Sequence, residues 1–293
     1  MILTYKNSKM SIKSVIFEGY FTNEAMRIAV YIKSEALKAD SRCVSLLDSL
    51  KGTGAKLYPV SAREDILDGT DLLLSVGGDG TFLSAAKRAG DSGIPVLGVN
   101  LGRLGFLSEY RPEEVLDALK NNSWETEERS LLKVEGAPED VYPFVLNEVS
   151  LRRTGPSILG IKVEIDGLCL PAYWADGLLV STASGSTAYN LSAGGPICLP
   201  ESRVLIVTPL APHNLNVRPL ILPDTAKISL SLISRDTQVQ VGMDNRNFTA
   251  PSSIRLDVSL AQFSLKRVRL GRQSFVRALT DKLFWGEDIR NAK

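Results

Sequence analysis

The sequence is poor in the residues that most often hold metals and perform acid–base chemistry. It has one histidine, His213, and three cysteines, Cys43, Cys169 and Cys198, in 293 residues. A histidine-rich metal site or a hydrolase triad is therefore unsupported, and we expect His213 to be structural or to hydrogen-bond a ligand. The cysteines are far apart and form no CxxC pair, so we predict three small buried apolar residues in a reducing cytoplasm.

The sequence also lacks an excess of charge and a long hydrophobic run. Its 34 lysines and arginines balance 33 aspartates and glutamates, which leaves a net charge of +1. This balance gives no basic field that would predict nucleic acid or an anionic membrane as a partner. Because no apolar run is long enough for a bilayer and the N-terminus lacks the apolar core of a signal peptide, a cytoplasmic location is predicted.

Two nucleotide-binding motifs are missing as well. The sequence has no GxxxxGK[ST] segment and no strand-linked GxGxxG near its N-terminus. These absences exclude a P-loop kinase and a standard hydride-transferring Rossmann enzyme.

The first part of the chain shows an alternation of strand and helix patterns. The patterns predict strands at Ser14–Tyr20, Ala55–Val60, Asp71–Val76 and Ile94–Asn100. They predict helices at Thr22–Leu37 and Arg111–Asn122, in addition to one that follows Val76. Such alternation favours an open, mostly parallel α/β sheet.

The pattern changes after the polar segment Asn121–Ser130, which we interpret as a linker. The later strand patterns are short and alternate between apolar and polar residues, as in "IKVEID", "KISLSLI" and "IRLDVSL". Alternation of this kind favours an antiparallel sandwich or barrel. A final helix is predicted at Ser274–Trp285, and it must pack back onto another element because no helix neighbours it in sequence.

The segment "SVGGDGTFL" connects an apolar strand to a helix through glycines placed around one carboxylate, Asp79. Gly77, Gly78 and Gly80 permit positive φ angles and a close approach of a ligand to the backbone. The free N–H groups of the helix start suit phosphate, so we predict a phosphate loop that also includes Thr81. Since a carboxylate repels phosphate, Asp79 needs a different partner.

Three further segments contain candidate binding residues. Gly98–Leu107 is a second glycine-rich turn after a strand, and such neighbouring turns either form a ligand site or are tight connections. Asn147 and Glu148 interrupt an apolar strand context, and on the residues alone a structural strand end is favoured. Ala175–Ile197 combines serines, threonines and glycines with Tyr189, which could stack on a base or a nicotinamide; a polar surface loop is the alternative.

The segments GGDGTFL, LGRLGFL, LNEVSL and DGLLVSTASGSTAYNLSAGGPI occur in this order. Together they resemble the NAD kinase family, whose members phosphorylate the 2′-hydroxyl of the adenosine ribose of NAD to give NADP. The resemblance spans Ser14 to Trp285. GGDG loops also occur in diacylglycerol-type lipid kinases and phosphofructokinases, so the segment Asp176–Ile197 makes the resemblance specific.

The resemblance implies an α/β domain formed by residues 1–123 and 268–293 that carries GGDG. It implies a β-sandwich-like NAD-binding domain at residues 124–267, with the last helix returning to the first domain. The implied substrates are NAD and ATP, with Mg²⁺ or another divalent cation bound to ATP and no tightly bound cofactor. The implied assembly is a homodimer or homotetramer in which a neighbouring subunit completes the NAD site.

The resemblance also implies roles for particular residues. Asp79 would act as the base on the 2′-hydroxyl; Mg²⁺ ligation by the same carboxylate is the rival role, and the loose transition state of phosphoryl transfer favours the proton acceptor. Phe106 would line the nucleotide pocket, with Asn147 and Glu148 on the adenosine side and Asp176 on the nicotinamide side. The implied NAD-binding residues are Asp79, Gly80, Phe106, Asn147, Glu148, Asp176, Thr187, Ala188, Tyr189, Asn190, Ser192 and Ala211, and no residue is assigned as a metal ligand.

The sequence departs from the family pattern at three positions. Trp174 stands where many bacterial relatives have arginine, Ala183 replaces a proline, and Asn245 follows Asp244 where glycine is usual. Two other functions remain as alternatives, a GGDG-type lipid kinase and a sensor that binds NAD or NADP without turnover. The polar run Ser181–Ser192 argues against an acyl-chain cleft, and the presence of Asp79 argues against the sensor.

Overall fold

The computed structural model describes residues 25–271 and 275–286. Its first part contains parallel strands and helices. The strands are β1 (Arg27–Ile32), β2 (Lys56–Pro59), β3 (Leu72–Val76) and β4 (Val96–Val99). The helices are α1 (Glu35–Lys38), α2 (Ser41–Gly52), α3 (Asp79–Ala89) and α4 (Pro112–Lys120), with a 3₁₀ turn at Arg63–Asp65.

The later part is mostly β-structure. Its strands are β5 (Trp124–Glu135), β6 (Phe144–Val145), β7 (Glu148–Arg153), β8 (Leu159–Ile165), β9 (Leu168–Cys169), β10 (Tyr173–Ala175), β11 (Gly177–Thr182), β12 (Val204–Leu210), β13 (Leu220–Pro223), β14 (Ile228–Ile233), β15 (Gln238–Met243), β16 (Arg246–Pro251) and β17 (Leu256–Leu270). The helical segments are a 3₁₀ turn at Ser184–Thr187, α5 (Tyr189–Ser192) and α6 (Phe275–Leu283).

The first strands form the parallel part of an 11-stranded sheet, in the order β4-β3-β1-β2. Alternate residues of a strand face opposite sides of a sheet. Leu72 and Leu74 accordingly pack with side chains of α2 and α4, whereas Leu73 packs with Phe82 of α3. Because helices cover both faces, β3 is buried along its whole length, which explains why four of its five residues are apolar.

Strand β17 joins the two parts of the chain. Its Arg267 pairs with Val96 of β4, it runs antiparallel to β5, and its start pairs with β14. The second sheet is antiparallel, in the order β13-β12-β11-β7-β15-β16, and it shares a core with side chains of β5, β8, β14 and β17. The predicted fold class, an α/β part with a mostly parallel sheet and a β-sandwich-like part, is confirmed.

The predicted helix at Thr22–Leu37 is wrong, because residues 27–32 form β1. Its apolar residues Ile28, Ala29 and Val30 are all buried, together with Tyr31. β1 lies between β2 and β3 in the sheet, and a strand covered on both faces carries a continuous apolar run. In a continuous apolar run, some apolar residues fall at helical spacing by chance, and this spacing led to the prediction of a helix.

The predicted linker at Asn121–Ser130 is also wrong, because β5 begins at Trp124. Its polar residues face oppositely charged residues of β17. Glu127 lies opposite Arg267 and Glu125 lies opposite Arg269 in the antiparallel register. Opposite charges across a strand pair stabilise a sheet, so the polar composition here reflects pairing and not a loop.

The last helix, α6, agrees with the helix predicted at Ser274–Trp285. Lys282 Nζ donates a hydrogen bond to the carbonyl oxygen of Gly105 and lies 3.2 Å from Glu109 Oε2. The rings of Phe275 and Phe106 are 6.1 Å apart between centroids. The helix therefore returns to the first part of the chain, as predicted.

The cysteine prediction is partly wrong. Cys43 is buried and Cys198 is half-buried. Cys169 is exposed because it lies in β9, a two-residue strand of an exposed hairpin. His213 is exposed, and its backbone N–H donates to the Trp174 carbonyl oxygen at 2.7 Å. Among the described helices, none has both the length and the hydrophobicity to cross a bilayer.

Two statements about the chain stay predictions. The strand predicted at Ser14–Tyr20 lies outside the described residues. The predicted domain limit between residues 267 and 268 falls within β17, which is one continuous strand.

Candidate functional site

The turn that connects β3 to α3 has the conformation its glycines permit. Gly77 has a φ of 146°, which glycine adopts readily and L-residues rarely do. A Cβ atom at Gly77 would lie 2.5 Å from Thr81 Oγ1. The helix begins at Asp79 itself, so Asp79 and Gly80 belong to its first turn and not to the loop that we predicted. Gly78 and Gly80 are exposed.

The Asp79 carboxylate is held by three successive backbone N–H groups. Phe106 N–H donates to Oδ2 at 2.9 Å, whereas those of Leu107 and Ser108 donate to Oδ1 at 3.0 and 2.8 Å. The loop can wrap the carboxylate only because residue 105 is glycine. A Cβ atom at Gly105 would lie 2.0 Å from Asp79 Oδ1. The two predicted glycine turns thus meet at Asp79.

A second carboxylate, Asp244, is held in the same way in the turn between β15 and β16. The backbone N–H groups of Leu146, Asn147 and Glu148 donate to it at 2.9, 2.8 and 3.3 Å. Arg246 Nη2 lies 3.8 Å from its Oδ2. Asp244 therefore fixes the backbone of the segment 146–148 at the start of β7.

The neighbour of Asp244 reaches the GGDG helix. Asn245 Nδ2 donates to the Gly80 carbonyl oxygen at 2.8 Å and to Ser84 Oγ at 3.0 Å. The β15–β16 turn thus joins the start of α3 to the segment 146–148. Sequence reasoning noted Asn245 only as a departure from the family pattern and missed this contact.

The side chain of Glu148 is a buried acid within this arrangement. Glu148 is 8% exposed, and its Oε2 has no hydrogen-bond partner among the described residues. Burial first, and the nearby Asp244 second, raise the pKa of Glu148 to about 8, while the Tyr189 backbone N–H opposes this shift. Its surroundings therefore favour the protonated, neutral form of Glu148.

The loop after β11 lies against the same segment. Thr182 N–H donates to the Asn147 carbonyl oxygen at 2.9 Å, and Thr182 Oγ1 donates to the Leu146 carbonyl oxygen at 2.6 Å. A Cβ atom at Gly185 would lie 2.2 Å from the Asn147 carbonyl oxygen. The glycine in "STASGSTAY" is thus required for close packing of two backbone segments.

Asn190, one of the implied NAD-binding residues, is buried inside the loop after β11. It is 0% exposed. Its Nδ2 donates to the Ser186 and Pro196 carbonyl oxygens at 3.2 and 3.0 Å, and its Oδ1 accepts from Thr208 Oγ1 at 2.6 Å. The side chain organises the loop, and a contact with NAD stays a prediction.

A cleft of about 370 Å³ lies between this loop, the 105–109 loop and α6. Phe106 and Thr187 are the implied NAD-binding residues that line it. Charged side chains missed by the sequence analysis form another wall. Arg267 is 3% exposed and bonds Glu109 and Glu127, and Glu127 also bonds Arg129.

Other implied site residues lie elsewhere on the chain. Asp176 forms an ion pair with Arg153, at 2.8 Å from Nε to Oδ1. Ser192 and Ala211 are exposed. The half-buried ring of Tyr189 has the Arg152 guanidinium 5.8 Å from its centroid. Apart from Phe106 and Thr187, the implied NAD-binding residues do not line the cleft. They are Asp79, Gly80, Asn147, Glu148, Asp176, Ala188, Tyr189, Asn190, Ser192 and Ala211.

Replacement of Gly105 by alanine should destabilise the fold, because the added Cβ would overlap the Asp79 carboxylate and displace its N–H donors. We expect a loss of about 1–3 kcal/mol in the free energy of unfolding, measured by urea denaturation. Gly102→Ala is the matched control in the same loop, because the nearest atom to its Cβ would be 3.7 Å away. Equal effects of the two substitutions would contradict this packing.

Replacement of Glu148 by glutamine should change how stability depends on pH. The pKa of Glu148 is about 8 in the folded protein, against an ordinary value of 4.5. The folded state therefore holds this proton more tightly than the unfolded state does. The resulting stabilisation is complete below pH 4.5 and is lost as the pH rises toward 8. The melting temperature of the wild type should therefore fall relative to Glu148→Gln between pH 5 and 8.5, by roughly 4 °C or more. The exposed Glu139→Gln serves as control, and parallel curves for all three proteins would rule out the buried acid.

Two family models match the chain. The ATP-NAD kinase N-terminal domain matches residues 25–123, and the ATP-NAD kinase C-terminal domain matches residues 146–270. The first match contains the GGDG turn and the 105–108 loop, and the second contains the segment 146–148, the loop after β11 and the Asp244 turn.

Named relatives agree with these matches. The NAD kinase of Bacteroides fragilis is 37% identical over 90% of this chain and 100% of its own length. The NAD kinase of Flavobacterium psychrophilum is 35% identical over 98% of this chain and 97% of its own.

Solved structures have the same fold. An Archaeoglobus fulgidus NAD kinase in complex with ATP has a TM-score of 0.74 at 26% identity, with 88% of this chain and 99% of that chain covered. Yeast NADH kinase complexed with NADH has a TM-score of 0.78 at 24% identity, with 92% and 91% covered. The chain belongs to the ATP-NAD kinase family.

Proposed function

We propose that this protein transfers the terminal phosphoryl group of ATP to the 2′-hydroxyl of the adenosine ribose of NAD, which gives NADP. The observation that carries the proposal is the Asp79 carboxylate, which is fixed by three N–H groups at the start of α3 within a chain matched by both ATP-NAD kinase models. A lipid kinase gains no support from the relatives, which are named NAD kinase. The presence of Asp79 favours turnover over a sensor.

Asp79 accepts the proton of the 2′-hydroxyl in this proposal. A carboxylate has about four acceptor positions, and the N–H donors use three of them, so one remains for a hydroxyl. A carboxylate is a far weaker base than an alkoxide, so it takes the proton only as the oxygen–phosphorus bond forms and otherwise fixes the line of attack. The three N–H donors disfavour Mg²⁺ ligation, since their positive ends surround the oxygens.

The start of α3 holds the phosphates in this proposal. The first N–H groups of a helix have no intrahelical partner, and they favour anions. The exposed Gly78 and Gly80 leave this backbone open to a ligand, with Gly77 and Thr81 shaping the turn. Among the described residues, no three His, Cys, Asp or Glu side chains are grouped as a metal site. In this proposal Mg²⁺ would enter with the ATP substrate and would supply positive charge that neutralises the phosphates.

The NAD site takes residues from more than one segment, and in this proposal from more than one subunit. Phe106 and Thr187 line the cleft, with Asn147 and Glu148 beside the loop that carries Thr187, Ala188 and Tyr189. Asp176, Ser192 and Ala211 do not line this cleft, and the homo-oligomer that would complete the site rests on the family resemblance. We place the enzyme in the cytoplasm, because its substrates occur there and because its three cysteines are free thiols.

Replacement of Asp79 by asparagine tests the acid–base role. We expect NAD to bind with a dissociation constant within about threefold of the wild type, and turnover to fall about 10²–10⁴-fold, because the proton acceptor is lost. NADP formation gives the turnover and calorimetry gives the binding. The exposed Asp117→Asn is the matched control. Turnover of Asp79→Asn within threefold of the wild type removes Asp79 from the chemistry.

Replacement of Tyr189 by alanine tests the stacking role. The Michaelis constant for NAD should rise about tenfold while kcat falls less, because a stacked ring contributes about 1–3 kcal/mol to binding of a base. Tyr189→Phe keeps the ring and should retain the wild-type constant. An unchanged Michaelis constant in Tyr189→Ala would place the ring outside the NAD site.

A further inference from the structure

We infer that Lys282 of α6 is a positioning residue for Asp79 and acts through the peptide group between residues 105 and 106. Lys282 Nζ donates a hydrogen bond to the carbonyl oxygen of Gly105. The N–H of the same peptide group belongs to Phe106, and it donates to Asp79 Oδ2 at 2.9 Å. The chain of contacts therefore runs from an ammonium, through one peptide dipole, to the carboxylate. The inference rests on the proposed role of Asp79.

A second cation holds the same loop in the same way. Arg267 Nη2 donates to the Leu107 carbonyl oxygen at 3.3 Å. The N–H of that peptide group belongs to Ser108 and donates to Asp79 Oδ1 at 2.8 Å. Two peptide groups thus point their N–H ends at Asp79 and their carbonyl ends at buried cations. A charge at the carbonyl end polarises a peptide group and strengthens the hydrogen bond from its N–H end.

Glu109 fixes the two cations relative to each other. It bonds Arg267, and its Oε2 lies 3.2 Å from Lys282 Nζ. Burial opposes the ionisation of Glu109, but Arg267 and Lys282 outweigh it and hold the pKa of Glu109 below its usual value. The Lys282 side chain is 13% exposed, so water does not strongly weaken these contacts.

The ring contacts restrict the loop from the α6 side as well. Lys282 Nζ lies 5.0 Å from the centroid of the Phe106 ring, within the range of a cation–π interaction. The Phe275 ring packs against the same ring. If the peptide group 105–106 turned over, its carbonyl oxygen would face the Asp79 carboxylate. Lys282 opposes this rotation because it holds the carbonyl oxygen on the opposite side.

The hydrogen bond from Lys282 to Gly105 connects α6 to the loop around Asp79, although the two segments are far apart in the sequence. Lys282 is 177 positions from Gly105 in the chain. The role differs from substrate binding, because the ammonium is directed at a backbone carbonyl and at Glu109. A change at Lys282 should therefore alter the rate of the chemical step more than the affinity for substrates.

The experiment compares Lys282→Met with Lys282→Arg and with the control Arg277→Met. Methionine keeps an unbranched side chain without charge, and arginine keeps the charge. Arg277 is exposed on the same helix, where it pairs with Asp281 at 3.4 Å. We expect kcat of Lys282→Met to fall at least tenfold, with Michaelis constants for NAD and ATP within twofold of the wild type. Lys282→Arg should retain at least a third of kcat, and Arg277→Met should match the wild type.

A double-substitution comparison separates a positioning role from an independent one. Combined with Asp79→Asn, the substitution Lys282→Met should cause no further loss of turnover, because its effect passes through Asp79. Melting temperatures of Lys282→Met and Arg277→Met should agree within a few degrees. Lys282→Gln is a second neutral variant, which can still donate a hydrogen bond, in case the methionine variant does not fold.

Three results would overturn the inference. The first is a kcat of Lys282→Met within twofold of the wild type, and the second is a rise in Michaelis constants with kcat retained. The third is unfolding of both neutral variants below the assay temperature, which would make the role structural. The proposed role of Asp79 is tested separately, because turnover that survives in Asp79→Asn rejects that role whatever Lys282 does. Loss of turnover in Asp79→Asn together with an active Lys282→Met rejects only the role of Lys282.

Discussion

The site depends on two carboxylates, Asp79 and Asp244, that each accept hydrogen bonds from three successive backbone N–H groups. Charge-assisted bonds of this kind are stronger than those between neutral groups, so each carboxylate fixes the shape of the loop around it. Asn245 joins the two arrangements, because it lies beside Asp244 and bonds the carbonyl oxygen of Gly80, the neighbour of Asp79. The start of α3 is thereby held against segments from distant parts of the chain.

A buried group of charges stands behind the Asp79 loop. Arg267, Glu109, Glu127 and Lys282 are connected by ion pairs across β5, β17 and α6. Buried ion pairs contribute little to stability, because desolvation offsets much of their attraction. The position of these charges gives a better reason for them. Arg267 and Lys282 bond carbonyl oxygens of the loop whose N–H groups bind Asp79. The charges therefore organise a site more than they stabilise a core.

Sequence reasoning found the elements whose signals are local. The strand-to-helix turn at Asp79 and the final helix were predicted because glycine spacing and helical periodicity are visible in one segment. β1 was mistaken for a helix because a strand buried on both faces has no period of two, and β5 was mistaken for a linker because its partners lie on β17. Asp244, Asn245 and Lys282 were missed as site residues. Their contacts join residues 98, 165 and 177 positions apart, and no local pattern records them.

The central claim is that this fixed carboxylate serves phosphoryl transfer to the ribose of NAD. The most direct test incubates the purified protein with NAD, ATP and Mg²⁺ and follows the product with an NADP-specific dehydrogenase, with phosphorus NMR to locate the new phosphate. We expect NADP that carries the phosphate on the 2′-oxygen, with one ADP formed for each NADP. Absence of NADP under these conditions, with phosphate transferred instead to diacylglycerol in a parallel assay, would contradict it.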